Sequence, residues 1–249
     1  MFVNPVKTQL VRAGAISLTA LLDDSLSELK DGSVVAISSK IVSLCENRVV
    51  PMADTDKESL ITREAQFYLD PVGKYPYRFT ITDSTLISSA GIDSSNSDGY
   101  YVLWPSDSQK TANEVRHYLK KRFGLERVGV VITDSTSKPL RLGTTGVALA
   151  HSGFAALNNY VGSDDLFGRT FVVSRANVAE GLAATAVMVM GEGTEQTPLC
   201  VISDAGFVTF LDRDPTAEEL STLYFPLEDD VFAPLIATAP WKRGKGKKR

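Results

Sequence analysis

The sequence predicts an α+β fold, or an irregular α/β one, and three features carry that expectation. A wholly apolar segment, VGVVIT at 128–133, reads as a central strand covered on both faces. An amphipathic helix with signals at both ends precedes it at 107–123, and a helix apolar nearly all round follows at 176–190. Strands and helices otherwise mix without strict βαβ alternation, which disfavours a doubly wound sheet.

Taken in order, residues 14–30 (GAISLTALLDDSLSELK) place Ile16, Leu18, Leu22, Leu26 and Leu29 mostly at helical intervals. Asp31-Gly32 stops that helix and opens a compact apolar strand at 33–37. A second helix is expected over 57–69. The alternation of RFTITDSTLI makes 77–87 a strand or hairpin, and 100–103 reads as a strand ahead of Trp104-Pro105. From 107 to 123 an N-cap is followed by Ala112, Val115, Tyr118, Leu119 and Phe123 on one face, then by Gly124. The strand over 128–133 ends at Asp134, the helix over 176–190 ends at Gly191, and a last strand spans 199–203.

The 249 residues are 43% hydrophobic and 22% charged, ordinary for a soluble domain with a sizeable core. No segment approaches the roughly 20 uninterrupted apolar residues of a membrane helix, and the start, MFVNPVKTQLV, lacks a signal peptide's apolar run. A cytoplasmic location is expected. Cys45 and Cys200 form no CxxC pair, so they build neither a disulfide framework nor a thiolate zinc site. Six of the 26 basic residues crowd into the last eight, KRGKGKKR, and the remaining 20 face 30 acidic ones. A body that acidic is a poor nucleic-acid surface, so neither nucleic acid nor membrane is an expected partner, and 241–249 reads as a solvated, disordered basic tail.

Several sites are excluded by their missing motifs: there is no GxxxxGK[ST], no GxGxxG after a strand, no HExxH and no GxSxG. Of the two histidines, His117 sits mid-helix among Lys and Arg and reads as a surface residue. His151, beside a Gly-containing turn, reads at least equally as structural. What remains is oxygen chemistry. Asp93 lies in a polar loop with a glycine, Asp134 and Ser135 end the buried strand, and Glu192 follows the buried helix within Gly191-Glu192-Gly193. Carboxylate and hydroxyl donors suit Mg²⁺ or Mn²⁺, and the 191–194 turn lets backbone N–H groups approach a phosphate. Aspartates at strand ends and glycines after helices are also ordinary turn chemistry, and from spacing alone that reading is the stronger one.

The ordered set SSKIVSLCENRVV (38–50), SAGIDSSN (89–96), VGVVITDSTSKPLRLGTTGVALAHSG (128–153), DLFGR (165–169) and VMGEG (189–193) resembles the coenzyme F420-0:gamma-glutamyl ligase family. The 41 positions between Asp93 and Asp134 also look like that family's spacing of its two main metal aspartates. The resemblance implies a GTP-dependent ligase with two divalent cations, Mg or Mn, that forms a gamma-glutamyl amide through an acyl phosphate. Carried over by motif, Asp93 and Asp134 would hold one metal, and Ser135 and Glu192 the other. Asn96 and the 190–197 loop (Met190, Gly191, Glu192, Gly193, Thr194, Glu195, Gln196, Thr197) would contact the nucleotide, with Ser39, Lys40 and Gln9, Leu10, Val11 and Arg12 as weaker candidates. Arg141, in KPLRLG, is our choice for a clamp on phosphate or substrate carboxylate, because a guanidinium fork suits such oxygens.

The resemblance further implies a two-lobed, mixed-sheet homodimer, with 1–85 and 176–240 in a first lobe and 86–175 in a second. Leu44 stands where a Lys is expected in many F420 ligases, and Asn47 replaces a Gly. The patterns TDSTSKPLRLGTTGVALAHSGF and MGEGTEQTPL look more like a bacterial branch labelled as folate-metabolism gamma-glutamate ligases. The expected partners are therefore L-glutamate and a folate acceptor, with F420-0 as the alternative acceptor. Two readings of other classes are a non-catalytic nucleotide- or metal-binding protein and an adaptor working through the basic tail.

Overall fold

The computed structural model describes residues 1–71, 75 and 77–246. The first half of the chain forms β1 (Phe2–Val6), α1 (Leu18–Ser25), β2 (Ser33–Ser38), α2 (Ser39–Cys45), β3 (Val49–Pro51), α3 (Lys57–Glu64), β4 (Phe67–Tyr68), β5 (Phe79–Thr82), β6 (Thr85–Ser88) and β7 (Tyr100–Val102). There follow α4 (Ser108–Phe123), β8 (Val128–Ser137), β9 (Thr144–Ser152), β10 (Leu157–Asn159), β11 (Arg175–Asn177) and α5 (Val178–Met190). The chain closes with β12 (Leu199–Ser203), α6 (Ala217–Leu223), α7 (Ala233–Ile236) and β13 (Lys242–Arg243).

The largest sheet has the order β1-β12-β2-β8-β9. Its middle strands, β2 and β8, run parallel from the pair Ser33 and Val128 to the pair Ser38 and Thr133, and the other neighbours are antiparallel. Side chains alternate across a strand, so Val35, Ile37, Val130 and Ile132 pack on one face with Leu22, Val115 and Leu119 of α1 and α4. Val34, Ala36 and Val131 meet Leu182, Ala183 and Ala186 of α5 on the other. Both faces are covered, which is why β2 and the first part of β8 are apolar at nearly every position. A smaller core joins Leu60, Ile61, Ala65, Ala90, Ile92 and Leu103 beneath α3. The mixed α and β architecture agrees with the expected class.

The strongly patterned elements form as expected. Asp107 caps α4 by accepting from the Lys110 N–H at 2.8 Å, and Gly124 closes it in a left-handed conformation. Residues 79–88 form a hairpin. Other segments differ. Helix α1 covers only eight residues, because the chain turns extended at Leu26, although Leu26 and Leu29 stay buried. The helix expected over 57–69 stops at Glu64, and Phe67 and Tyr68 instead pair with β5. Helix α5 is not buried all round, since Met188 is 74% exposed.

The division expected at 86 and 175 runs through the large sheet: β8 and β9 lie between those positions, yet β8 hydrogen-bonds to β2. The terminal segment is not a free tail over 242–246. There β13 pairs with β4, and the N–H groups of Gly244, Lys245 and Gly246 donate to carbonyls of Gln66, Thr62 and Ala65. Residues 247–249 lie outside the described residues. Among those described, no helix is long and apolar enough to cross a membrane.

Candidate active site

Parallel strands leave a crevice beyond their carboxyl ends, and here β2 and β8 open onto a cavity of about 490 Å³. Strand β2 stops at Ser38 and turns directly into α2, which carries Lys40 to the rim. Strand β8 runs four residues past that point, after an irregularity against β9 between Ile132 and Thr133. Such a bulge re-aims the side chains that follow it, and Asp134 and Ser135 both line the cavity.

Asp93 arrives from the loop after β6, where its backbone pairs with Val102 through hydrogen bonds of 3.0 and 2.8 Å. Its Oδ1 accepts from the Ser94 N–H at 2.6 Å, the Ser95 N–H at 2.8 Å and the Ser95 hydroxyl at 2.9 Å. The Lys40 ammonium lies 2.6 Å from Oδ2. Burial opposes ionisation of Asp93, but Lys40 and the Ser95 donors outweigh it and hold the carboxyl below its ordinary range. At Asp134 the balance is reversed. Burial pushes the carboxyl up to about 6, against the Trp104 indole and Ser135 N–H that donate to it, and the nearby Asp93 charge adds to the rise.

The opposite wall is the turn that ends α5. Gly191 adopts φ 79°, and a Cβ there would overlap the Glu195 carboxylate, which accepts from the Gly193 N–H at 2.8 Å. Two side-chain links tie this turn to the rest of the site. The Ser135 hydroxyl donates to Glu192 Oε1 at 2.5 Å, and Asn96 donates to the Gly193 carbonyl at 2.9 Å. Gln196 reaches the Thr8 carbonyl at 2.7 Å, which brings the segment after β1 to the rim.

The structure therefore gathers Asp93, Asp134, Ser135, Lys40, Asn96, Gln9, Leu10, Val11 and the whole 190–197 turn around one cavity. Three candidates stand outside its lining. Arg12 meets Asp98 at 3.3 Å, Ser39 is buried while its neighbour Ser38 lines the cavity, and the exposed Arg141 guanidinium donates to the Leu140 carbonyl. His117 is exposed beside Asp214, and His151 is buried against Phe154. Sequence reasoning missed Ser95, whose signal was the Asp-Ser-Ser turn, and Trp104, whose approach to Asp134 has no local signature. Of the two departures, Leu44 is buried and lines the cavity. Asn47 adopts φ 55°, a left-handed conformation that Asn and Gly share.

The donor set is carboxylate and hydroxyl oxygen, which fits a hard divalent cation. Among the described residues no three or more His, Cys, Asp or Glu side chains are grouped so that they could hold a metal ion by themselves. Ser135 and Glu192 are joined by a hydrogen bond, and Asp93 lies near enough to Asp134 for its charge to act on that carboxyl. Incomplete oxygen shells of this kind suit ions that fill their remaining positions with phosphate oxygens and water.

Residues 5–204 match the family described as F420-0:Gamma-glutamyl ligase. A coenzyme F420:L-glutamate ligase of Methanococcus maripaludis is 34% identical over 224 residues, covering 82% of this chain and 86% of the relative. Proteins with the same name from Methanopyrus kandleri and Methanocaldococcus jannaschii are 32% and 30% identical, over 74% and 82% of this chain and 79% and 86% of their own lengths. With these matches the protein is defined as an amide-forming ligase. More particularly, the chain belongs to the F420-0:gamma-glutamyl ligase family.

Proposed function

We propose that this ligase uses GTP and two divalent cations to join L-glutamate to the carboxylate of an F420-0 acceptor. The observation that carries the reading is the convergence of Asp93, Asp134, Ser135 and Glu192, drawn from three separate parts of the chain, on one cavity beside a glycine turn. The relatives named for coenzyme F420 favour F420-0 over the folate expected from the motif variants.

A carboxylate is a poor electrophile, so its oxygen first takes the γ-phosphoryl group of the nucleotide. The glutamate amine then attacks the acyl carbon, the C–N bond forms, and phosphate leaves as the amine loses its proton. Bound divalent ions would neutralise the phosphate oxygens through this sequence. Asp93 and Asp134 would hold one ion, and Ser135 and Glu192 the other. Lys40 keeps Asp93 ionised and oriented. The 190–197 turn offers backbone groups to the nucleotide, with Asn96 holding the turn against the Asp93 loop. No covalent enzyme intermediate is required.

The homodimer belongs to the same proposal. Leu140, Leu142, Leu166 and Phe167 are more than nine-tenths exposed, and Val172 and Val173 are 75% exposed, all between β8 and β11. A second copy of this chain would cover them.

Mass spectrometry of reactions holding protein, GTP, Mg²⁺ or Mn²⁺ and L-glutamate tests the reading, with F420-0 and tetrahydrofolate offered separately and Asp134→Ala as control. A glutamate adduct of F420-0 that is absent from the control is expected. Extension of tetrahydrofolate alone would overturn the acceptor, and absence of metal-dependent GTP binding would overturn the site.

A further inference from the structure

The segment from Tyr100 to Trp104 touches both aspartates of the candidate metal site, one through its backbone and one through a side chain. Val102 pairs with the backbone of Asp93. Two residues on, the Trp104 indole N–H donates to Asp134 Oδ2. Trp104 is 4% exposed, and its ring lies flush against Gly91, where any Cβ would overlap the indole nitrogen. Gly91 precedes Asp93 by two positions and lines the same cavity. The Asp134 carboxylate is thereby held at both oxygens, Oδ2 by the indole and Oδ1 by the Ser135 N–H at 2.8 Å.

We propose that Trp104 is a positioning residue for the ligase reaction, its indole N–H fixing the Asp134 carboxylate in the orientation that pairs it with Asp93 on a divalent cation. A carboxylate free to rotate must be ordered again each time an ion binds, and a donor on its second lone pair removes that cost. The ring cannot be replaced by another buried apolar residue without losing the donor. Phe fills most of the space and leaves Asp134 Oδ2 with one partner fewer. The proposal rests on the metal-binding reading of Asp134.

The test uses the full chain and reads metal directly. Mn²⁺ affinity is measured by electron paramagnetic resonance for wild type, Trp104→Phe and Asp134→Asn, with thermal melts in parallel and kcat and KM for the folded variants. Outer partners of metal ligands are typically worth about 10- to 100-fold in affinity, so Trp104→Phe should weaken Mn²⁺ about tenfold and lower kcat more than it raises the acceptor KM. Mn²⁺ affinity within twofold of wild type in folded Trp104→Phe, with Asp134→Asn much weaker, overturns the role of Trp104 alone. Unchanged affinity in Asp134→Asn overturns the metal reading and this proposal with it.

A second measurement leaves Trp104 in place. The protein has two tryptophans, and Trp241→Phe assigns their indole N–H signals in a ¹H–¹⁵N spectrum. The Trp104 signal should move saturably on Mg²⁺ titration in wild type and stay still in Asp134→Asn. A Trp104 signal that stays still while Mg²⁺ binds wild type sinks the proposal, whether or not Trp104→Phe folds.

Discussion

The Ser135 hydroxyl donates to Glu192 Oε1 at 2.5 Å, joining strand β8 to the turn after α5 across 57 positions of sequence. Each residue follows an apolar run in the sequence, and this bond makes them one unit. Ser135→Ala should therefore lower kcat/KM about 10- to 100-fold, the range typical of disturbed metal shells, with little change in melting temperature. Ser135→Thr keeps the hydroxyl and should restore most of the activity. Equal activity for the Ala and Thr variants in steady-state assays would remove Ser135 from the machinery.

Gly191 combines φ 79° and ψ 167° with the Glu195 carboxylate packed over it. That backbone region is essentially restricted to glycine, so Gly191→Ala should cost about 1–3 kcal/mol of stability in urea titrations. Calorimetric titration should show GTP affinity falling at least tenfold if, as proposed, the nucleotide sits against this turn. Unaltered GTP affinity would place the nucleotide elsewhere.

His151 is 2% exposed, and burial pushes its imidazole down to about 4 from 6.5. The folded chain therefore takes up this proton less readily than the unfolded one. The stability tied to His151 is complete above pH 6.5 and is lost as pH falls toward 4, by up to about 3 kcal/mol. Urea denaturation between pH 7 and pH 4.5 should show a steeper decline for wild type than for His151→Phe. Parallel declines would contradict the buried neutral imidazole.

The C-terminal segment acts as an edge strand. Deleting residues 242–249 removes the β13–β4 pairing, the ion pair of Lys242 with Asp70 and three backbone hydrogen bonds beyond the strand. A net loss of about 1–4 kcal/mol follows if each bond contributes the usual ~1 kcal/mol, visible as a lower melting temperature. Activity at saturating substrates should survive at temperatures where the truncated chain is folded.

The exposed apolar residues between β8 and β11 bear on assembly. Leu166→Ser combined with Phe167→Ser should shift the chain from dimer to monomer in sedimentation velocity. A wild-type chain that sediments as a monomer at micromolar concentration would overturn the proposed homodimer.

What the sequence by itself determined are the elements whose signals are local. The cap and stop residues of α4, the apolar run of β8 and the alternation of the β5–β6 hairpin each lie within a few neighbours, and these elements form where expected, although β8 does not end at Asp134 but pairs with β9 as far as Ser137. The acidic candidates were legible for the same reason, because a carboxylate that follows an apolar run is visible in the local pattern. The tertiary structure decided what depends on partners far along the chain. Leu26 leaves α1 yet remains buried, because the core it fills is made by α4 and β8. Residues 67–68 leave a helical pattern to pair with β5, and 242–246 leave a solvated pattern to pair with β4, since a sheet edge satisfies backbone groups that neither local pattern records. In the site, no spacing foretells that the Trp104 indole reaches Asp134 or that Ser135 reaches Glu192. Hydrogen-bond partners between separate elements are set by packing, so residue types name the candidates and the fold alone brings them together.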